Sequence, residues 1–600
     1  MMKLGLGIVL TAALSFTSCT KKKNFDEKVL HIVTEAKVKG LDPVNAGDTY
    51  SSDEISRAYE GLLEYEYLVR PYELKPNLAE SMPEVSEDGL TYTFKIKKGV
   101  LFHDNKCFPG GKGRELVAED FVYSFKRLAD LKNNSTGWWL VDDRVAGLNA
   151  WREKYKGKDA DYSEKIEGVQ ALDKYTLQFK LKSQYPQFLY ALAMVYTFAT
   201  PKEAVDMYGE EFLNNPVGTG AFMLKGSYTQ SNTIEWIKNP KFRDVRYPSN
   251  GSEADKAKGL LASAGKKLPL VDKIIVNIQT EASTRFLEFE KGNIDFSGIP
   301  KDNFDQVVMP DQKLANTYNK KGIDLIMVPD LDITYVAINN EHPLFKDNKK
   351  LRQAMSLAYK HEEANKLFYN NTGVLANGII PPGIPGYDPN YKNPYLKYDI
   401  EKAKKLLAEA GYPGGKGLPV ITYDHMATSV GRQMADLFQQ SMKEIGVKVE
   451  TNGNTWPQLT KKVKTKQTQL YAMAWLGDYP DAENFLQLVW GPNAAPGPNG
   501  SNYNNQEFNK KFVKAKNMQP SLERTKLYQE LNQFVSEEVP LILGVHRAKI
   551  VLKHKWLKNY KFSTFNAGHA KYYDVDMNEK EKVIKSGILT KSVDTKTASN

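Results

Sequence analysis

Apolar and polar positions alternate in short blocks along the chain. Lys28-Val29-Leu30-His31-Ile32-Val33 predicts a first strand. Ser51-x-x-Glu54 reads as a capping box for a helix that puts Ile55, Ala58, Tyr59, Leu62 and Leu63 at helical spacing. Large apolar and polar side chains alternate over 90–97 and 175–181, as in half-buried strands. Ala118 to Ser124 opens a helix, and a strand over 271–278 precedes a helix near 286–290 that Gly292 stops. Further on, Ala403, Leu406, Leu407 and Ala410 share one helix face, with Asp399 as N-cap and Gly411 past the end. Strands over 333–339, 420–423, 447–449 and 539–545 and a helix over 432–445 complete the pattern. Such alternation predicts an α/β protein with mostly parallel sheets covered by helices. Two stretches lack a period: 138–167 reads as a polar surface excursion, and 250–268, rich in Gly, Ala, Ser and Lys, as an exposed insertion.

The stretch that carries candidate chemistry follows the apolar run Leu470-Tyr471-Ala472-Met473-Ala474, read as a buried strand. Gly477 and Pro480 then break the chain, and Asp481 stands as an N-cap before Phe485, Leu486, Val489 and Trp490. Asp478 therefore falls on a strand-to-helix loop between Trp475 and Tyr479. In open α/β sheets, ligands sit at such loops. A carboxylate between aromatic walls pairs with a ligand cation, such as an α-ammonium group, once water is excluded. The plainer reading is an Asp that shapes a turn beside a core Trp.

Length changes the picture: 600 residues with 41% hydrophobic content can bury two or three cores. Net charge +10, from 82 basic and 72 acidic residues, suits an anionic membrane surface or a solvated Lys-rich exterior. No basic face with interleaved aromatics argues for nucleic acid. Lys3 precedes an apolar segment from Leu4 to Phe16, too short to span a bilayer and typical of a secretory signal over 1–18. Phe16-Thr17-Ser18-Cys19 resembles a bacterial lipobox, which makes Cys19 the lipidated first residue of the mature chain, followed by a solvated linker over 19–27. Cys107 is then a lone thiol, so no internal disulfide forms.

Enzyme signatures are missing from the sequence: it has no Gly-x-Ser-x-Gly elbow, no Walker loop and no Cys-x-x-Cys. His361-Glu362 starts like a zinc-protease helix, but Asn365 occupies the second ligand position. Neither a metal nor a cofactor is expected.

Trp475-x-x-Asp478-Tyr479 and its acidic, Asn- and Phe-containing continuation resemble the peptide-binding solute receptors of ABC importers, family 5. Tyr59-Glu60-Gly61-Leu62, the strand over 90–97 with Phe102-His103-Asp104, Pro216-Val217-Gly218-Thr219-Gly220, Leu351-Arg352-Gln353-Ala354 and Lys555-Trp556-Leu557 are similar to that family too, in collinear order. The resemblance implies a periplasmic-binding-protein-like fold (cluster C, type II): two lobes built from three discontinuous domains about a hinge. It places domain I at 28–60, 200–330 and 545–600, domain II at 61–199 and domain III at 331–544. His103-Asp104 and the 216–222 glycines are read as scaffold and close packing.

The implied function is an exported, membrane-anchored binding lipoprotein, facing periplasm or cell exterior. It captures peptides between its lobes and passes them, as a monomer, to an ABC permease with its ATPase subunits. By resemblance Asp478 grips the peptide α-amino group, with Trp475, Gly477 and Tyr479 beside it. The position six residues before Asp478, an Arg in many oligopeptide receptors, is Ala472 here. His425 or Arg432 is the candidate for the ligand's far carboxylate, although each equally suits a surface role. The same scaffold could take a nickel complex, an opine or an oligosaccharide, and a surface lipoprotein of this kind could act as an adhesin or sensor.

Overall fold

A computed structural model describes residues 27–229, 231–565 and 568–589. The apolar leader, Cys19 and the linker up to residue 26 lie outside the described residues, as does the tail from 590. Among the described residues no helix is long and apolar enough to cross a membrane.

Strand Val29–Thr34 runs parallel to Lys273–Ile278, with Leu30 opposite Ile274 and Ile32 opposite Val276. Thr233–Lys238 and Phe222–Leu224 extend this sheet by antiparallel pairing. The predicted capping box is corrected: helix Thr49–Ala58 is capped by Asp48, whose carboxylate accepts the Ser51 N–H at 2.8 Å. Its last turn ends at Ala58, so Leu63 instead begins a short strand, Leu63–Tyr65. Close packing explains the glycines that follow. A Cβ at Gly218 would stand 2.0 Å from the Ala58 carbonyl, and one at Gly220 2.5 Å from that of Arg57. His103 is buried scaffold: Gly218 N–H points at Nδ1, and Nε2 lies 3.0 Å from the Gly220 carbonyl.

A second sheet, Glu84–Val85, Thr91–Lys95, Thr176–Lys180 and Val169–Asp173, is antiparallel throughout and is covered by helix Ala118–Ala129. The 138–167 stretch is no mere excursion. Leu140, Val141, Val145, Leu148 and Trp151 are all buried in the core shared with this sheet, because helix Leu148–Lys154 and the turns before it fold inward. The 250–268 stretch is likewise anchored, through buried Asp255, which pairs with Lys561 at 2.6 Å.

The chain crosses to the other lobe in two strands. Ile323–Pro329 pairs antiparallel with Ala548–His554, then leads into Asp332–Ile338, while Leu541–Leu543 leads back. Buried Asp332 ties the crossings together by accepting the Arg547 backbone N–H at 2.7 Å and pairing with the Arg547 side chain. The far lobe is built on a five-stranded sheet in the order 449–454, 421–426, 470–476, 332–338, 541–543. Parallel pairing joins 421–426 to both of its neighbours there; the 332–338 strand pairs antiparallel on both sides. The sheets are therefore mixed rather than mostly parallel, because strands returning from distant sequence close them as antiparallel partners. Two apolar cores flank this sheet, and both draw on residues 331–543. Helix Ile400–Glu409 has the predicted cap, Asp399 accepting the Lys402 N–H at 3.0 Å.

Burial holds the imidazoles of His103, His361, His546 and His554 down at about 4 from an ordinary 6.5. On unfolding each would take up a proton below pH 6.5. Their contribution to stability is full above pH 6.5 and is lost as pH falls towards 4. Urea unfolding at pH 7.5, 6 and 4.5 should give midpoints that fall steadily; a flat profile contradicts this.

Candidate functional site

Strand Leu470–Leu476 delivers the site. On one edge it pairs along its whole length with Asp332–Ile338. On the other, the parallel ladder with Ile421–Met426 involves only Tyr423 with Leu470 and Asp424 with Tyr471. Beyond that point the two strands diverge, and Met473 to Leu476 present an edge to which an extended chain can add. Ala474 is exposed there and Trp475 is half-buried.

At the strand's end Gly477 donates its N–H to the Leu331 carbonyl at 2.8 Å. A Cβ on Gly477 would meet the Phe485 ring at 2.8 Å, so the turn needs glycine for packing. Asp478 follows, clamped by Asn484, which is fully buried. The Asn484 side-chain oxygen accepts from the Asp478 backbone N–H at 3.0 Å and from Trp475 Nε1 at 2.9 Å, while its amide donates to Asp478 Oδ2 at 3.0 Å. Asn484 thus sets the orientation of both the acid and the indole. In the sequence Asn484 is one polar residue of the acidic run after Asp478, and its spacing of six residues from the acid is the only signal of this clamp.

Asp478 is partly buried, and burial raises its carboxyl above the usual 3.8, offset only by the Asn484 hydrogen bond. Among the described residues no cation is found to act on it. A desolvated acid that lacks a counter-ion favours a cationic guest. Tyr196, from the opposite lobe, lies near enough to feel its charge: burial raises the Tyr196 hydroxyl, Thr136 lowers it by a hydrogen bond, and the charges of Asp478 and Asp48 raise it further.

Tyr479 is only 3% exposed; its hydroxyl donates to Glu483 Oε2 at 2.6 Å and its ring stacks on Tyr190 of the opposite lobe, centroids 5.7 Å apart. The side chain thus makes a lobe-to-lobe contact. Gln187 reinforces that contact by donating to the Lys516 carbonyl at 3.1 Å, so the lobes are shut on one another. Asp481 stands one residue before the cap, Ala482, yet still accepts the Glu483 N–H at 2.9 Å and pairs with Arg524 at 2.7 Å. His425 and Arg432 are not brought together with Asp478's shell. His425 is buried, its Nδ1 2.8 Å from the Met426 carbonyl, and Arg432 is exposed in the first turn of helix Ser429–Lys443. No group of three or more His, Cys, Asp or Glu among the described residues could hold a metal.

Two lobes joined by a double-stranded crossing, shut over a strand edge and a buried acid, define a solute-binding receptor. The model for bacterial extracellular solute-binding proteins, family 5, matches residues 73–497, and the chain belongs to that family, a class of solute-binding transport proteins rather than enzymes. It is 28% identical to the dipeptide-binding protein of Escherichia coli K12 over 95% of this chain and 97% of that one. It is 27% identical to heme-binding protein A of Haemophilus influenzae Rd over 94% of this chain and 95% of the relative. Among solved structures, the periplasmic binding protein DppA of Helicobacter pylori, in complex with peptide STSA, matches with a TM-score of 0.68 at 25% identity, over 91% of this chain and 98% of that one.

Proposed function

We propose that the protein is the peptide receptor of an ABC importer, with Asp478 holding the ligand's free α-ammonium group. The observation that carries this is the desolvated Asp478 carboxylate, oriented by Asn484, with no cation acting on it among the described residues. The peptide backbone extends the sheet along Met473 to Leu476, which gives affinity without demanding a sequence. Ligand side chains point away from that edge into the cleft. Trp475 walls the ammonium site, and Gly477 lets the strand turn away in front of it. The same acid disfavours an anionic group at that end, which weighs against haem-like dianions.

Closure moves residues 331–544 as one body against the rest, about the paired crossings at 330–331 and 544–547. Binding stabilises the shut form by its differential affinity for it, and the shut form is what the permease reads. Signal removal and acylation of Cys19 tether the receptor outside the cytoplasm.

Gentle purification, acid release and mass spectrometry of the bound material test the reading. Peptides with unmodified N-termini are expected. A non-peptide solute as the sole released species overturns it.

A further inference from the structure

Four rings stand in a column across the boundary between the lobes. Phe565 and Tyr65 have centroids 5.2 Å apart and planes 27° apart. Tyr65 and Tyr190 follow at 6.4 Å and 16°, then Tyr190 and Tyr479 at 5.7 Å and 6°. Tyr479 alone comes from the far lobe. Three separate stretches of chain supply the other rings: strand Leu63–Tyr65, helix Phe188–Ala191 and the segment that returns after the crossing. Rings stacked in this way attract one another beyond the area they bury, and each restricts its neighbour's tilt.

The base of the column is fastened at the hinge. Phe565 packs against cores of both lobes, and so does Tyr72, whose ring meets it edge-on at 4.9 Å. Beside them Thr564 donates its hydroxyl to Asp330 Oδ1 at 2.8 Å and its backbone N–H to the Tyr72 hydroxyl at 3.0 Å. Asp330 stands where the chain crosses between lobes. The tip of the column lies at the binding loop, since Tyr479 directly follows Asp478. Rotation about the crossing displaces atoms in proportion to their distance from it. Opening therefore has to part Tyr190 from Tyr479, while the base can stay packed.

Other groups gather at the same tip. Gln187, on the segment that carries Tyr190, donates to the Lys516 carbonyl of the far lobe. The Arg144 guanidinium lies 3.8 Å over the Tyr185 ring, and its charge reaches Tyr479 and Glu483 across the boundary. Every one of these contacts is made between side chains or backbone of the protein itself, so they can hold the lobes whichever ligand is bound.

We propose that Tyr190 is a positioning residue: its ring latches the lobes in the shut form and thereby sets the affinity for every peptide alike. The latch deepens the peptide reading above. An apparent dissociation constant rises as the fraction of shut receptor falls, by one factor for all ligands of the shut form. Tyr190 differs in this from Asp478, whose removal acts on one group of the ligand.

Small-angle scattering from the protein freed of bound material, and calorimetric titration with Ala-Ala-Ala, Ala-Phe-Ala and Ala-Lys-Ala, test the proposal. Tyr190→Ala should enlarge the radius of gyration of the free protein and weaken all three peptides by a common factor of about ten, the scale of one ring stack. Tyr190→Phe keeps the ring and should return both readings to native values. Tyr190→Leu keeps apolar bulk against the first-lobe core but loses the stacking plane; it should behave as Tyr190→Ala, and replaces it if that variant fails to fold. An unchanged radius of gyration in Tyr190→Ala or Tyr190→Leu overturns the latch. So does a loss that differs several-fold between peptides, which would make Tyr190 a ligand contact. If none of the three peptides binds the native protein, the peptide reading fails, while the scattering comparison needs no ligand and still decides the latch.

Discussion

Asp478→Asn should weaken an unblocked peptide by roughly 10²- to 10³-fold, because it leaves the ligand's ammonium group desolvated without its counter-charge. N-acetylation of the peptide should cost the native protein a similar factor. The two losses should not add: the acetylated peptide should bind native and Asp478→Asn protein within a few-fold of each other, since either change removes the same pair. Equal further loss of the acetylated peptide in the variant would falsify the assignment. The direction of the Asp478 shift gives a second readout. Its carboxyl in the free protein titrates above the usual 3.8, chiefly through burial. Ligand binding needs the ionised form, so affinity should fall as pH drops through that raised value. For folding the sign is opposite. A raised folded-state value means that stability is full below the unfolded value and lost as pH rises through the folded one. At neutral pH the free protein therefore bears a cost at Asp478 that Asp478→Asn relieves, and the variant should melt higher when empty.

The second large effect is structural. Asp295 is fully buried and accepts three bonds of 2.7 Å, from the His31 backbone N–H, Trp556 Nε1 and Lys580 Nζ. It joins the first strand, residues near the 323–329 crossing and the last helix, Met577–Ser586, which are far apart in sequence. Asp295→Ala should lower unfolding free energy by about 3–5 kcal/mol, measured by urea titration, because Lys580 and the indole N–H are left buried without an acceptor. Replacing Lys580 by Met in the same chain should return part of that loss. A change below about 1 kcal/mol would show that water takes over the acceptor role.

Local periodicity carried much of this protein's description. Alternation over 90–97 and 175–181 appears as strands Thr91–Lys95 and Thr176–Lys180, and Asp399 caps its helix as its spacing implied. These features depend on neighbours within a turn or a strand, so one segment contains all the information needed. The resemblance that begins at Trp475-x-x-Asp478 led to the family for the same reason: the loop's identity is written in consecutive residues. Other features depend on partners hundreds of positions away. Antiparallel closure of the far sheet, the Tyr190–Tyr479 stack and the role of Asn484 as a clamp follow from packing that no period records. Asp53 shows the limit most clearly. In sequence it is one acid among Asp48, Asp53 and Glu54 on a helical segment, and only the fold decides which of them meets a cation, which caps the helix and which lines a cavity. The patterning of the chain determined that it would fold from alternating strands and helices; tertiary structure decided how the sheets close and which charges were left without a partner, because pairing is a property of space rather than of order along the chain.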